Sequence, residues 1–434
     1  MTCVRAQLLR ARLLRVGGIA LIGALTLGSG LGLGPAARPP ATVRAAAPDL
    51  TMVTSATYDV RPDEGRVAVS VRITAANHLK DTATRRYFFD FGYLTILPGA
   101  TNIRLAADAG GSPAVKVVSR SATGTLLRLS FGTRLAAGKS ANLTLTFDMA
   151  DPGGAPDRLL RVSPSIVTFQ AWAFATDSTP GSAVTIHIPV GYTVTIGQGP
   201  LDGPVADPAS ASQVFTTGAL SAPLGFVADI AADRPGDYAS TTRTVRVGQS
   251  TATVELRSWP DDAAWRDRVA DLLVRGLPAL GERIGAPWPF DTPIAIQETL
   301  IRTSGGYAGV FDPARGLAEV NYAATDGVVL HEAAHAWFNG RLVGDRWIAE
   351  GFASYYAEAA AAALGIPVTS PAFEAGTPGA PGTPFPLNAW PASGSPGLAP
   401  ATETYGFAAS LALVRELAAL LGDATLRATW SAAA

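Results

Sequence analysis

The sequence predicts a multidomain chain, an N-terminal antiparallel β-sandwich followed by an α+β domain. Three observations carry this. Apolar and polar residues alternate with period 2 from about residue 50 to 257, the spacing turns helical at 258, and the first 47 residues have a composition unlike either part. At 434 residues the chain is long enough for two or three domains, each with its own core.

The leader comes first. Residues 1–15 carry Arg5, Arg10, Arg12 and Arg15 and no acid, residues 16–33 are apolar, and small residues follow at Ala36-Ala37 and Ala45-Ala46-Ala47. That order is the order of a secretory signal peptide, so 1–47 is assigned as signal and the rest is expected to be secreted or in the cell envelope. The 18-residue apolar run is also near the length of a membrane anchor. Its six Gly favour cleavage over permanent anchoring. Without 1–47 the chain keeps 28 Lys+Arg against 35 Asp+Glu, an acidic body with no basic run, which excludes a nucleic-acid binder. The single Cys, Cys3, leaves with the leader, so neither a disulfide framework nor a Cys-based metal site is available. Membrane contact is expected only through an uncleaved leader or a continuation past Ala434, where the chain stops soon after another helix begins.

Residues 48–257 form the predicted sandwich. Val67/Val69/Val71/Ile73, Leu143/Leu145/Phe147 and Val184/Ile186/Ile188 alternate with polar residues, as half-buried strands do. PDEG (62–65), DPGG (151–154) and LDGP (201–204) read as turns between strands. Residues 258–434 form the predicted α+β domain. Trp265, Val269, Leu272, Leu273, Leu280 and Ile284 fall on one helix face behind the Asp261-Asp262 start signal. Residues 293–300 and 316–323 read as strands. Thr325 or Asp326 caps a helix expected to run through about Phe338 and stop at Asn339-Gly340. Asp345 opens another through about Leu364, ended by Gly365. Residues 366–400 hold nine Pro and five Gly and read as a long functional or disordered connection. A last helix is expected from about Phe407 to Leu421.

The chemistry concentrates at His331-Glu-Ala-Ala-His335. Residues i and i+4 share one helix face, so both imidazoles reach a single zinc ion, and Glu332 is placed to take a proton from water at the metal. Only two other His occur in the chain, His78 and His187, and both lie in the β region. A catalytic zinc takes three protein ligands, so the third is expected to be a carboxylate. The short connection 339–345 turns the next helix antiparallel and carries Glu350 back toward the metal. Glu358 lies eight residues further on, about 12 Å along the helix, too far to reach the same ion.

These residues resemble a known group. HEAAHAWFNGRLV (331–343) followed by RWIAEGFASYY (346–356) is similar to the gluzincin metallopeptidases, most closely the M1 aminopeptidase family. Trp337, Phe338, Trp347, Glu350, Gly351, Phe352 and Ala353 match its signature. LPALGERIGAPWPF (277–290) resembles the family's helix and aromatic-Pro turn before the first catalytic-domain strand. The resemblance covers 277–430, and the β region by architecture alone. It implies a thermolysin-like zincin domain, zinc held by His331, His335 and Glu350, Glu332 as general base, and a peptide or protein substrate. It implies that Tyr405 donates a hydrogen bond to the oxyanion, and that Gln170, in VTFQAWAFATD (167–177), touches the substrate's amine.

Two departures are visible. Fourteen residues separate His335 from Glu350, fewer than in the family. The family's G-x-M-E-N strand, whose Glu grips the substrate amine, is here SGGYAGVFD (304–312), with no Glu. Backbone at Gly305, Gly306 and Tyr307 still suits pairing with an extended substrate. Aminopeptidase and endopeptidase action both stay open, as does a peptide-binding surface protein with a degenerate zincin domain.

Overall fold

Alternation of buried and exposed positions builds the N-terminal part of the computed structural model, which describes residues 48–108, 110–300, 308–370, 385–392, 395 and 398–433. The predicted leader 1–47, Gly305, Gly306, Tyr307 and most of 371–397 lie outside the described residues. The first strands are β1 (Leu50–Arg61), β2 (Arg66–Asn77), β3 (Phe88–Ile96), β4 (Thr101–Ala107), β5 (Ala114–Ser121), β6 (Gly124–Ala136) and β7 (Ser140–Ala150). There follow β8 (Arg161–Val162), β9 (Ile166–Trp172), β10 (Ala183–Pro189), β11 (Thr193–Gln198), β12 (Asp202–Asp207), β13 (Ser212–Thr216) and β14 (Val227–Asp233). They form a seven-stranded sheet, β12-β13-β10-β1-β2-β7-β4, a four-stranded sheet, β11-β14-β9-β8, and a three-stranded sheet, β3-β6-β5. The alternating residues are buried, and they meet directly across strands as Val69↔Phe147, Val71↔Leu145 and Ile73↔Leu143. One hydrophobic cluster draws on all three sheets.

Two expectations are corrected here. The region is not wholly antiparallel, because β1 and β10 pair in parallel from Ser55↔Ala183 to Asp59↔His187. Alternation reports which face is buried, not the direction of the neighbour, and so long a connection leaves that direction free. The LDGP turn is also displaced, since Asp202–Pro204 lie inside β12. β12 is an edge strand, where a Pro costs no ladder bond.

The second sheet begins earlier than the helices do. Strands β15 (Ala239–Val247) and β16 (Ser250–Ser258) alternate like their predecessors, but they pair onward with β17 (Ile294–Thr299), β18 (Gly309–Asp312) and β19 (Leu317–Asn321). The order is β15-β16-β17-β19-β18, with β18 as an edge. Helix α1 (Ala263–Ile284) packs Trp265, Val269, Leu272, Leu273 and Leu280 against Val245, Val247, Val254 and Leu256 of that sheet. The change of period at 258 marks where the helices start, while their sheet starts at 239.

Asp262 ties the regions together. As N-cap of α1 its Oδ1 accepts from Trp265 N at 3.0 Å, while its Oδ2 accepts from Arg161 of β8. Glu298 of β17 stands beside it, fully buried, with Oε2 accepting from Trp259 N at 3.0 Å. Burial, and then the Asp262 carboxylate, push Glu298 up to about 10. The folded chain thus keeps a proton that the unfolded chain releases near the ordinary Glu value, about 4.3. Stability from this group is full below that value and falls as pH rises toward about 10. Glu298→Gln is therefore expected to flatten the loss of stability between about pH 5 and 9, read as denaturant midpoints. An unchanged slope would show that Glu298 is ionised in the fold.

The remaining helices are α2 (Asp326–Ala334), α3 (Arg346–Ala363), α4 (Pro400–Leu421) and α5 (Asp423–Ala433). α2 ends four residues before the expected Phe338. Its last turn tightens to i→i+3 bonds, Ala336 N to Ala333 O and Trp337 N to Ala334 O, and Asn339 Nδ2 donates to His335 O (2.7 Å) and Ala336 O (2.9 Å). α4 starts seven residues before the expected Phe407. Pro400 at its first position presets the helical φ and Glu403 suits the first turn, signals hidden in a Pro-rich stretch. α4 is long and apolar enough to span a membrane by length and composition, and it packs closely on α3. A Cβ on Gly351 would stand 2.8 Å from Ser410 O.

Candidate metal centre

The centre is assembled by α2 and α3, which the short connection 335–345 brings side by side. His331 lies in α2 and His335 caps its end; both are buried. Their Nε2 atoms are 3.0 Å apart. Glu350, in the second turn of α3, places Oε2 3.4 Å from His331 Nε2 and 3.7 Å from His335 Nε2. The three ligand atoms lie within 4.8 Å of one another.

The outer nitrogens are held from behind. His335 Nδ1 meets Phe338 O at 2.5 Å. A carbonyl only accepts, so Nδ1 carries the proton and Nε2 presents its lone pair inward. His331 Nδ1 meets Ser354 Oγ at 3.1 Å. Ser354 lies one turn beyond Glu350 on α3, so one helix face supplies a carboxylate and an orienting hydroxyl.

Glu332 is fully buried beside them, and neither of its oxygens has a hydrogen-bond partner among the described residues. Glu350 Oε2 has none either. Burial, and then the charge of Glu350, raise Glu332 well above the ordinary carboxylate range. Burial, and then His331, lower His335 well below the usual imidazole value. Two inward lone pairs and two carboxylates crowded in the interior are costly when uncompensated. A divalent cation offsets them all at once, and a two-nitrogen, one-oxygen donor set is the kind zinc takes in catalytic sites. The residues fit zinc.

Edge strand β18 closes the far side. Phe311 stacks on the His335 ring at 6.4 Å. Gly309 abuts Glu332 so closely that a Cβ there would stand 2.4 Å from Oε1.

No protein-family model matches this sequence, and no curated protein matches it. Its structural neighbours are M1 zinc metallopeptidases. The crystal structure of the M1 zinc metallopeptidase from Deinococcus radiodurans is 15% identical with a TM-score of 0.32, covering 88% of this chain and 86% of that one. A point mutant of a two-domain M1 zinc metallopeptidase bound to L-arginine is 16% identical with a TM-score of 0.33, at the same coverage. A mutant of the Deinococcus radiodurans protein bound to a Tyr-Ser-Ala substrate is 16% identical with a TM-score of 0.31, again over 88% and 86%. At such scores the likeness carries no weight for chemistry, which rests on this chain's own residues.

Other residues singled out in the sequence fall elsewhere. Glu358 is taken by Arg415, whose Nη2 donates at 2.6 Å, and by Ser370. His78 bonds Thr51 at 2.8 Å and His187 lies in β10; neither joins the cluster. Gln170 lies in β9 and its amide donates to Asp229 of β14 at 2.9 Å. Tyr405 lies within α4, half-buried, its ring 5.1 Å from Phe385. Ser354 and Gly309 escaped the sequence reading. Ser354 had a signal, its i+4 spacing from Glu350, whereas Gly309 had none, because its role is a contact between a strand and a helix.

Proposed function

We propose that this protein is an exported zinc metallopeptidase that hydrolyses peptide bonds. The observation that carries the reading is the buried trio His331, His335 and Glu350 with Glu332 beside it. His331, His335 and Glu350 would hold the metal, their inward atoms already oriented by Phe338 O and Ser354. When bound, zinc supplies a Lewis acid that polarises a carbonyl and lowers the pKa of water. Glu332 takes the proton of the attacking water and passes it to the leaving amine. Burial, and then the charge of Glu350, raise its pKa, which makes its carboxylate the stronger proton acceptor. Tyr405 would donate a hydrogen bond to the carbonyl oxygen as charge develops there.

The outer edge of β18 runs beside Glu332 and suits an extended peptide added as a further strand, and Gly305, Gly306 and Tyr307, which precede it in the sequence, are kept as backbone partners for that peptide. Gln170 is kept as a contact for the substrate's amine, presented by Asp229. In this reading residues 1–47 are the export signal, the three-sheet region is a sandwich-type domain, and the chain from about 239 is a thermolysin-like zincin domain.

The segment 304–312 has no Glu to grip a free amine, and Asp312 is engaged in the following turn, accepting from Ala314 N at 2.9 Å. One peptide offered with free and with blocked N-termini is therefore expected to be cut in both forms, at rates within about tenfold. Cutting of the free form alone would restore aminopeptidase action. Cutting of neither would refute the peptidase reading.

A further inference from the structure

A buried polar cluster behind the metal centre sits against Glu350. The two oxygens of this carboxylate face different groups. Oε2 faces the imidazoles, and Oε1 lies 3.6 Å from Nε of Arg346, one turn earlier on α3. Arg346 is gripped from its other side. Nη1 and Nη2 donate to Glu403 Oε1 and Oε2 at 2.9 and 2.7 Å, a two-bonded fork, and Nη1 also donates to Pro391 O at 2.6 Å. The guanidinium lies 3.9 Å over the ring of Trp390, whose Nε1 donates to Glu403 Oε1 at 2.9 Å. α4 holds that ring closely, since a Cβ on Gly406 would stand 2.2 Å from it.

Stability alone does not account for such a cluster. An ion pair this buried does no better, as a rule, than apolar side chains of the same volume. What the fork provides is direction: a planar guanidinium fixed on Glu403 and Trp390 has one orientation left, and in it Nε faces Glu350.

We propose that Arg346 is a positioning residue for Glu350. Its charge attracts Oε1, so that Oε2 is the atom offered to the metal, and Glu403 and Trp390 hold Arg346 in turn. The proposal rests on the zinc reading above. It also couples the metal centre to α4, because Glu403 stands two residues before Tyr405 on that helix. A shift of α4 would thus reach the carboxylate ligand and the tyrosine together.

The test is zinc affinity, measured by competition with a chromophoric chelator, together with the visible spectrum of the cobalt-substituted protein. Arg346→Met keeps a long side chain over Trp390 without charge or fork, and is expected to weaken zinc binding about 10–100-fold and shift the cobalt bands. Arg346→Lys should recover part of that loss. Trp390→Phe keeps an aromatic ring but removes the N–H to Glu403 and part of the indole's bulk, so a smaller loss in the same direction is expected. Thermal unfolding of the metal-free forms separates these effects from damage to the fold. Wild-type affinity and an unshifted spectrum in a folded Arg346→Met protein would overturn the proposal and leave the zinc reading standing. If that variant does not fold, wild-type affinity in both Arg346→Lys and Trp390→Phe would overturn it equally. A wild-type chain that binds no zinc would remove both.

Discussion

Glu332→Gln is expected to keep its zinc and lose peptide hydrolysis by about 10²–10⁴-fold, the usual worth of a general base. The two halves of this expectation have separate causes. Zinc stays because the cluster of ligand atoms is His331, His335 and Glu350, and Glu332 contributes none of them. Hydrolysis goes because an amide of the same shape cannot accept the water's proton. The fold should not suffer, since glutamine has nearly the same shape and removes a charge that is costly to bury. Zinc content and kcat on one peptide, measured on the same preparation, check both halves. Hydrolysis at the wild-type rate would remove Glu332 from the mechanism.

Gly309→Ala tests the same residue from across the cleft. A methyl group there would stand 2.4 Å from Glu332 Oε1 and 2.5 Å from its Cγ, closer than real Cβ contacts come. Gly309 does not have a positive φ, so alanine suits the backbone itself. The atoms that must give way all belong to Glu332, so it is this side chain that is asked to move. The cost then falls on catalysis. Misplacing the base by about 1 Å is expected to lower kcat on the order of 10²-fold. Zinc content and unfolding temperature should stay near wild type. Full activity would mean that the base tolerates a position the present geometry does not allow.

These two tests differ in how legible they were beforehand. Glu332 and its flanking histidines follow from local geometry, because i and i+4 meet on any helix whatever surrounds it. Glu350 required one further step, a short connection between two helices. Ser354 follows the same spacing rule, but a hydroxyl carries no metal-ligand chemistry that would single it out. Gly309 and the Arg346–Glu403–Trp390 clamp are contacts between segments distant in the chain, and no spacing rule reports them. The same limit explains the fold. Alternation identified the buried faces of β2, β7 and β10, yet it placed the 239–258 hairpin with the wrong neighbours, since a period says nothing about which sheet a strand joins. Helix ends moved for local reasons, at Asn339 and Pro400, where a side-chain cap and a first-position proline outweighed the apolar pattern.

The proposed function requires that His331, His335 and Glu350 hold one catalytic zinc. Metal analysis of the purified chain beside His335→Ala tests it most directly. The expected result is about one zinc per wild-type chain, as a three-ligand catalytic site takes, and loss of that zinc together with hydrolysis in His335→Ala. A wild-type chain free of zinc, or a His335→Ala chain that keeps both its zinc and its activity, would contradict it.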